Sequence, residues 1–360
     1  MRINVDTAVN IERHLDNKEN NLNLVRMLAA CLVLISHSYA IYFGEPNLEP
    51  LRVLTGLSIG DMSVNAFFVI SGFLLHRSIT YDFNFTKFAI NRVLRIYPAL
   101  TIAVTFSVFV IGILATELNV RDYLTSTSVY HYLFKNSSLF FGLESRLPEV
   151  FNKQPLSATV NGSLWSLPYE IKMYAVLFLT TYILSKAFQN ELEEKLNVVF
   201  SIALAVLLVL MFANQFSNIY KGEFLRLSYF FVFGQCIYIF RRYVKVNLKI
   251  TILCIVSLIL AMKISQQNFI LIYYILSPVL LMNVVFLNMP VIKNYNKVGD
   301  YSYGMYLYAF PIQQYIVFSN KNLSFFEMTI TSFIFTLIMA VISWHIIEAK
   351  FLKFKWPNKK

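Results

Sequence analysis

Two side chains on one apolar stretch are the first that could do chemistry. In Leu22–Phe43, LNLVRMLAACLVLISHSYAIYF, Arg26 stands near the start of a run of membrane-spanning length and His37 lies well inside it. Eleven helical residues at about 100° each make three turns plus roughly 20°, so both side chains leave one face about 16 Å apart. An ionisable group deep in hydrocarbon normally faces a bundle interior or a wet cavity, which makes His37 a functional-site candidate. The plainer reading is an imidazole hydrogen-bonded to a neighbouring helix as packing glue. Ser36 and Ser38 flank His37, but adjacent helical residues point to different faces, so no Ser–His nucleophile pair is expected there.

A carboxylate stands in Asn161–Tyr174, NGSLWSLPYEIKMY. Glu170 and Tyr174 share a face at i, i+4, while Lys172 points elsewhere. About one turn into an apolar span, Glu170 either orients a histidine or pairs structurally with another helix. Arg92 and Arg95, in NRVLRIYP, are three apart at the mouth of the third apolar span, so two guanidiniums can converge on one anion such as a phosphate. The plainer reading makes them membrane anchors reaching lipid headgroups. Pro98 is read near the start of that helix, where a missing N–H is tolerated. Ser71-Gly72, within FFVISGFL, permits close helix approach. Gly299–Leu307 with Pro311 reads as a tight turn into a helix with tyrosines at the interface.

The elements that must hold these residues are membrane helices. A 360-residue chain with 57% hydrophobic residues, 33 Phe and 22 Tyr is too apolar for a soluble domain. Its mean hydropathy of +0.57 agrees. The predicted fold is all-α and polytopic, with spans at about 22–43, 59–79, 96–116, 166–185, 197–216, 224–240, 248–265, 269–288, 302–319 and 326–347. The first residues lack a signal-peptide pattern, so the first helix is expected to stay as an anchor. Residues 1–21 then form a polar cytoplasmic terminus, 22–347 the membrane domain and 348–360 a basic cytoplasmic tail.

Both termini are placed in the cytoplasm because that puts Arg77, Lys87, Arg92 and Arg95 inside, together with Arg241, Arg242, Lys245 and Lys249, and the tail's Lys350, Lys353, Lys355, Lys359 and Lys360. Roughly two-thirds of the basic residues are then cytoplasmic. The net charge of +11 follows from that bias, and no nucleic-acid partner is implied. Cys31, Cys236 and Cys254 lie in apolar segments without metal-like spacing, so they read as small core residues. The longest connection, about 117–165, is placed outside. It carries Tyr123, Tyr130, His131, Tyr132, Phe140 and Phe141, and reads either as an interfacial aromatic belt with a short surface helix or as a binding loop for sugar rings.

Five clusters in order resemble the integral-membrane acyltransferase family 3, which includes bacterial O-antigen, exopolysaccharide and peptidoglycan O-acyltransferases. Arg26-x-x-Ala29 followed by Val33 and His37 is similar to the family's first-helix pattern, and Phe67-Phe68-x-x-Ser71-Gly72-Phe73 to its second-helix motif. Arg92-x-x-Arg95-Ile96-x-Pro98 resembles its paired-arginine motif, Trp165-Ser166-Leu167-x-x-Glu170 its tryptophan–glutamate motif, and Ser302-Tyr303-x-x-Tyr306-Leu307 its late Ser-Tyr signature. Two positions depart from the pattern. Asn23 stands where an acidic residue is frequent and Ala309 where a histidine is, which leaves Glu170 as the candidate acidic partner of His37. Many relatives continue into an extracytoplasmic esterase-like domain, whereas this sequence stops at Lys360, so transfer is expected to be completed in the membrane part or by a separate protein.

The resemblance implies an O-acyltransferase of the bacterial cytoplasmic membrane that uses acyl-CoA, most often acetyl-CoA, and no metal. Arg92 and Arg95, with Arg26, would meet the donor phosphates. His37 would act as general base or brief acyl carrier, with Glu170 beside it, toward a glycan or lipid-linked sugar hydroxyl near Trp165 and the long loop. Ser71, Tyr174 and Tyr303 would support the site. A competing class is a transporter or flippase using His37 and Glu170 as a proton relay, but paired repeats and matching broken helices are not evident.

Overall fold

The computed structural model describes residues 9–16, 20–81, 83–217, 220, 222–287, 295 and 298–354; the tail's Lys355, Lys359 and Lys360 and most of 1–21 lie outside the described residues. Ten long helices, counted among the described residues, fall at the ten predicted segments. They are α1 Leu22–Phe43, α2 Ile59–Tyr81, α3 Phe85–Ala115, α4 Leu167–Ala187, α5 Leu192–Ser217, α6 Glu223–Ile239, α7 Leu248–Ile264, α8 Gln266–Phe286, α9 Ser302–Ser319 and α10 Phe325–Lys353. Six of them, α1, α2, α3, α5, α8 and α10, are long and apolar enough by themselves to cross a membrane. The protein is a helical membrane protein, with almost no strand among the described residues.

Two ends differ from the sequence reading. The third helix begins at Phe85, where Asn84 caps it by accepting the Lys87 N–H at 3.0 Å. Arg92 and Arg95 therefore lie two to three turns inside a helix rather than at its mouth, and Pro98 is interior. The last helix continues past residue 347 through a π turn, Trp344–Glu348, to Lys353. Both extensions are polar, so hydropathy alone could not carry the helix through them.

Two compact units divide the described residues. The first draws on Met1–Arg26, Leu51–Phe83 and Ile171–Gly299. Its centre is the pair α2 and α6. A Cβ on Gly72 would stand 1.9 Å from the Phe231 carbonyl oxygen, and one on Gly234 would stand 2.0 Å from that of Val69. Each helix thus meets the other's backbone through a glycine, the close approach expected of Ser71-Gly72. Pro278 in α8 cannot donate to the Tyr274 carbonyl four residues back, and the Tyr229 hydroxyl fills that vacancy at 2.9 Å. A small antiparallel pair, β1 Val9–Asn10 with β2 Lys245–Val246, completes the unit.

The second unit draws on Met27–Pro50, Asn84–Glu170 and Asp300–Lys360. Its central helix is α9, buried from Ser302 nearly to its end. That burial explains why α9 can carry Gln313 and Gln314: protein rather than lipid surrounds them. Gln313 donates to the Leu34 carbonyl at 2.9 Å and to Ser38 Oγ at 2.7 Å, and Gln314 donates to the carbonyls of Leu156 and Thr159 at 2.8 Å each.

The 117–165 connection packs back on the end of α3. Tyr123, on the helix Val120–Thr125, donates to the Val108 carbonyl at 2.9 Å, inside the π turn Ser107–Gly112 of α3. Gly112 leaves the space for that phenol, since a Cβ there would meet its oxygen at 1.9 Å. The helix Thr127–Ser138 then runs back along α3 until the Ser138 carbonyl accepts the Tyr97 hydroxyl at 3.2 Å. The connection, read from sequence as one outer loop with a short surface helix, thus carries two short helices that pack against α3.

Candidate active site

His37 lies two-thirds of the way along α1 and is half-buried within the second unit. Its Nδ1 stands 3.5 Å from Ser163 Oγ, and its ring meets Phe310 edge-to-face with centroids 5.1 Å apart. Ser36 and Ser38 turn away, as helix geometry requires: Ser36 donates to the buried Glu49 at 2.6 Å and Ser38 to the Leu34 carbonyl at 3.0 Å. The serine at the imidazole comes instead from a segment 126 residues away.

That segment is seated by a vacancy in α9. Pro311 cannot donate to the Leu307 carbonyl, and the buried Asn161 side chain donates there at 3.0 Å. The Asn161 oxygen in turn accepts the Ser163 N–H at 3.1 Å and caps the short 3-10 turn Gly162–Ser166. Gly162 is required beside it, because a Cβ would stand 2.5 Å from the Phe310 ring that braces His37. Tyr306 donates to the Ser163 carbonyl at 2.5 Å. Its proton is thereby committed, so Ser166 Oγ, 2.7 Å away, donates to the Tyr306 oxygen. The buried Ser163 and Phe310 thus stand at the imidazole, and the buried Tyr306 holds Ser163 in place.

Glu170 follows the same turn on α4 and is half-buried. Trp165 lies edge-on to Tyr169, with centroids 6.1 Å apart. In the first unit, Ser71 and Tyr174 share a hydrogen bond of 3.1 Å between their hydroxyls, so two residues singled out separately in the sequence meet. Arg26 is half-buried on the same helix as His37.

The paired arginines do not share one environment. Arg95 donates to Asp300 at 2.6 Å, approaches Glu348 at 4.0 Å and lies over the Tyr303 ring at 5.8 Å. Asp300 also accepts from Ser302, and Glu348 from Ser343 at 3.1 Å, a contact between positions five apart that the π turn of α10 makes adjacent. The Tyr303 hydroxyl donates to the Ile96 carbonyl at 3.0 Å, tying α9 to α3 beside the arginine. Arg92 instead lies 6.0 Å from the Phe88 ring centroid. Ser163, Tyr306 and Phe310, and Asp300 and Glu348, were not assigned roles from sequence. Ser163, Tyr306 and Asp300 lay within recognised clusters, whereas Phe310 and Glu348 carried no signal. Among the described residues no group of three or more His, Cys, Asp or Glu side chains is arranged to hold a metal ion.

These features define an integral membrane protein of helical architecture whose His37 imidazole meets a buried serine hydroxyl and a phenylalanine ring. The family model described as an acyltransferase domain matches residues 19–348, and the chain belongs to acyltransferase family 3. It is 28% identical over 363 residues to an O-acetyl transferase of Shigella phage Sf6, covering 95% of this chain and 98% of that protein. It is also 28% identical over 177 residues to nodulation protein 10 of Rhizobium leguminosarum bv. viciae, covering 46% of this chain and 44% of that one. No solved structure matches the chain. Family and relative together make the protein an O-acyltransferase.

Proposed function

We propose that the protein moves an acetyl group from cytoplasmic acyl-CoA to a hydroxyl of a cell-surface or lipid-linked glycan, working in the bacterial cytoplasmic membrane with ten spans and both termini inside. The O-acetyl transferase relative supports the acetyl assignment. The observation that carries the reading is the framing of His37 by Ser163 and Phe310 within the family's domain. Ser163 stands at Nδ1, and Nε2 is the nitrogen assigned to the acceptor in this reading. His37 removes the acceptor proton as its oxygen attacks the thioester carbonyl, and the CoA thiolate departs and takes up that proton. Transfer through an acetyl-imidazole is the variant in which Nε2 itself attacks first.

Arg92 meets the donor phosphates, whereas Arg95 is engaged by Asp300 and holds the local geometry. Arg26 is α1's own cation, eleven residues before His37. Glu170 and Trp165 serve the acceptor side, and Ser71, Tyr174 and Tyr303 support the helices. Inverted vesicles supplied with radiolabelled acetyl-CoA test the reading. Wild type is expected to label endogenous glycan or lipid, and His37→Ala to lose that label at equal protein level. Equal labelling by the two proteins would remove His37 from the chemistry. Glu170→Gln is expected to alter the pH profile of transfer, and an unchanged profile would leave Glu170 a packing residue.

A further inference from the structure

The hairpin that follows α3 has a geometry that a surface loop does not need. The chain leaves the end of α3 at Thr116 and returns to the same place: Thr116 bridges Val150, the Glu117 N–H donates to the Glu149 carbonyl at 3.0 Å, and the Thr116 hydroxyl donates to the Pro148 carbonyl at 2.8 Å. Between these points it travels far along the helix. Tyr123 touches α3 at Val108, and Ser138 touches it at Tyr97, eleven residues nearer the arginines. At 1.5 Å per residue the descent is about 16 Å, half of a hydrocarbon core. The 12-residue helix Thr127–Ser138 has the length to cover it. Leu139 then turns the chain with a left-handed backbone, φ 62°, and residues 139–147 climb back without helix.

A non-helical strand at that depth must find partners for its backbone. Asn136, wholly buried on the descending helix, supplies two: its amide donates to the Glu144 carbonyl at 2.8 Å, and its oxygen accepts the Glu144 N–H at 3.0 Å. Beside it Lys135 pairs with Glu144 at 3.6 Å, yet the two side chains stay 38% and 36% exposed. Charged groups that open at a level where α3 is apolar face water, not acyl chains. Ser145 and Arg146 on the ascending arm are also exposed.

We propose that residues 127–147 form a re-entrant hairpin, entering from the side on which α3 ends, whose ascending arm lines a water-filled vestibule that admits a hydroxyl-rich acceptor toward the middle of the membrane. The hairpin and its water stand on geometry alone; the acceptor assignment rests on the O-acetyl transfer proposed above.

Single cysteines in the full-length protein, with Cys31, Cys236 and Cys254 replaced by serine or alanine, test it. In spheroplasts a membrane-impermeant maleimide is expected to label Ser145→Cys at least tenfold more slowly than Ser157→Cys at the rim, and to leave Phe141→Cys unlabelled while a lipophilic maleimide reaches it. Equal rates at 145 and 157 would make the segment an ordinary surface loop. Labelling of 145 only in inverted vesicles would make it two full crossings, and none from either side would make it dry; each result overturns the hairpin whatever the activity. Acetyl transfer is then measured before and after modification of Ser145→Cys, with Ser138→Cys as a second tip variant. Modification is expected to depress transfer to glycan while the apparent affinity for acetyl-CoA holds. Undiminished transfer by fully labelled protein overturns the acceptor route and leaves the hairpin standing. A wild type that transfers nothing overturns the acceptor route together with the reading on which it rests.

Discussion

Arg95 Nη2 stands 2.6 Å from Asp300 Oδ2, and the opposite side of the same guanidinium faces Glu348 at 4.0 Å. The Arg95 side chain is 15% exposed and that of Asp300 9%, so the pair is largely out of solvent. Removing one partner of a buried pair leaves an uncompensated charge and costs about 3 kcal/mol or more. Asp300→Asn is therefore expected to lower the thermal unfolding temperature in detergent clearly. The exchanged pair, Arg95→Asp with Asp300→Arg, should recover part of the loss. A melting temperature for Asp300→Asn equal to wild type would show the pair to be idle.

Arg92 separates from its neighbour on the same test. Lysine keeps the charge but replaces a planar fork with a point donor. Arg92→Lys is expected to raise the apparent KM for acetyl-CoA about tenfold, roughly the worth of one charge-assisted bond, with kcat and melting temperature little changed. Arg95→Lys should do the reverse, lowering stability first. Steady-state kinetics on the purified protein, read beside its melting curve, tell the two apart.

The frame of His37 makes a third expectation. Tyr306→Phe removes the donor to the Ser163 carbonyl and the acceptor of the Ser166 hydroxyl, both in a buried site. Loss of those bonds costs about 1–3 kcal/mol. The turn that holds Ser163 loosens, and kcat for acetyl transfer is expected to fall about tenfold while the KM for donor holds. Ser163→Ala should give a smaller fall, because its contact to Nδ1 is long at 3.5 Å. A Tyr306→Phe enzyme with wild-type kcat would detach the frame from catalysis.

What could be read in the sequence follows from how each contact is encoded. Runs of apolar residues placed all ten helices within a few residues except where α3 and α10 continue as polar helix. His37 and Glu170 stood out because an ionisable group in an apolar run is costly, Ser71 through its pairing with Gly72, and Tyr174 through its i, i+4 spacing from Glu170. Partners on other segments were beyond reach: Ser163 lies 126 residues from His37, and Asp300 lies 205 from Arg95. Glu348 was assigned to a solvated basic tail, since nothing in HIIEAK announces a π turn that swings its carboxylate inward. Nor does anything near Pro311 or Pro278 say that Asn161 and Tyr229 fill the carbonyls those prolines free. That the helix Thr127–Ser138 lies along α3 was hidden because the Ser138 carbonyl meets its partner, Tyr97, 41 residues away.

The glycine contact between α2 and α6 bears the last expectation. Alanine at Gly72 would bring a Cβ within 1.9 Å of the Phe231 carbonyl oxygen, and at Gly234 within 2.0 Å of that of Val69. Both obstacles are backbone, which cannot rotate aside as a side chain does, so the two helices must part along their whole contact. Overpacking of a tight core costs about 1–3 kcal/mol and more where backbone must move. Gly72→Ala and Gly234→Ala are each expected to cut the yield of monodisperse protein in detergent severalfold. Ser71→Ala, one residue away, loses only a hydroxyl bond to Tyr174, worth about 1 kcal/mol, and should stay folded. If Gly72→Ala elutes and melts like wild type, α2 and α6 do not meet through their glycines, and the first unit is packed on some other contact.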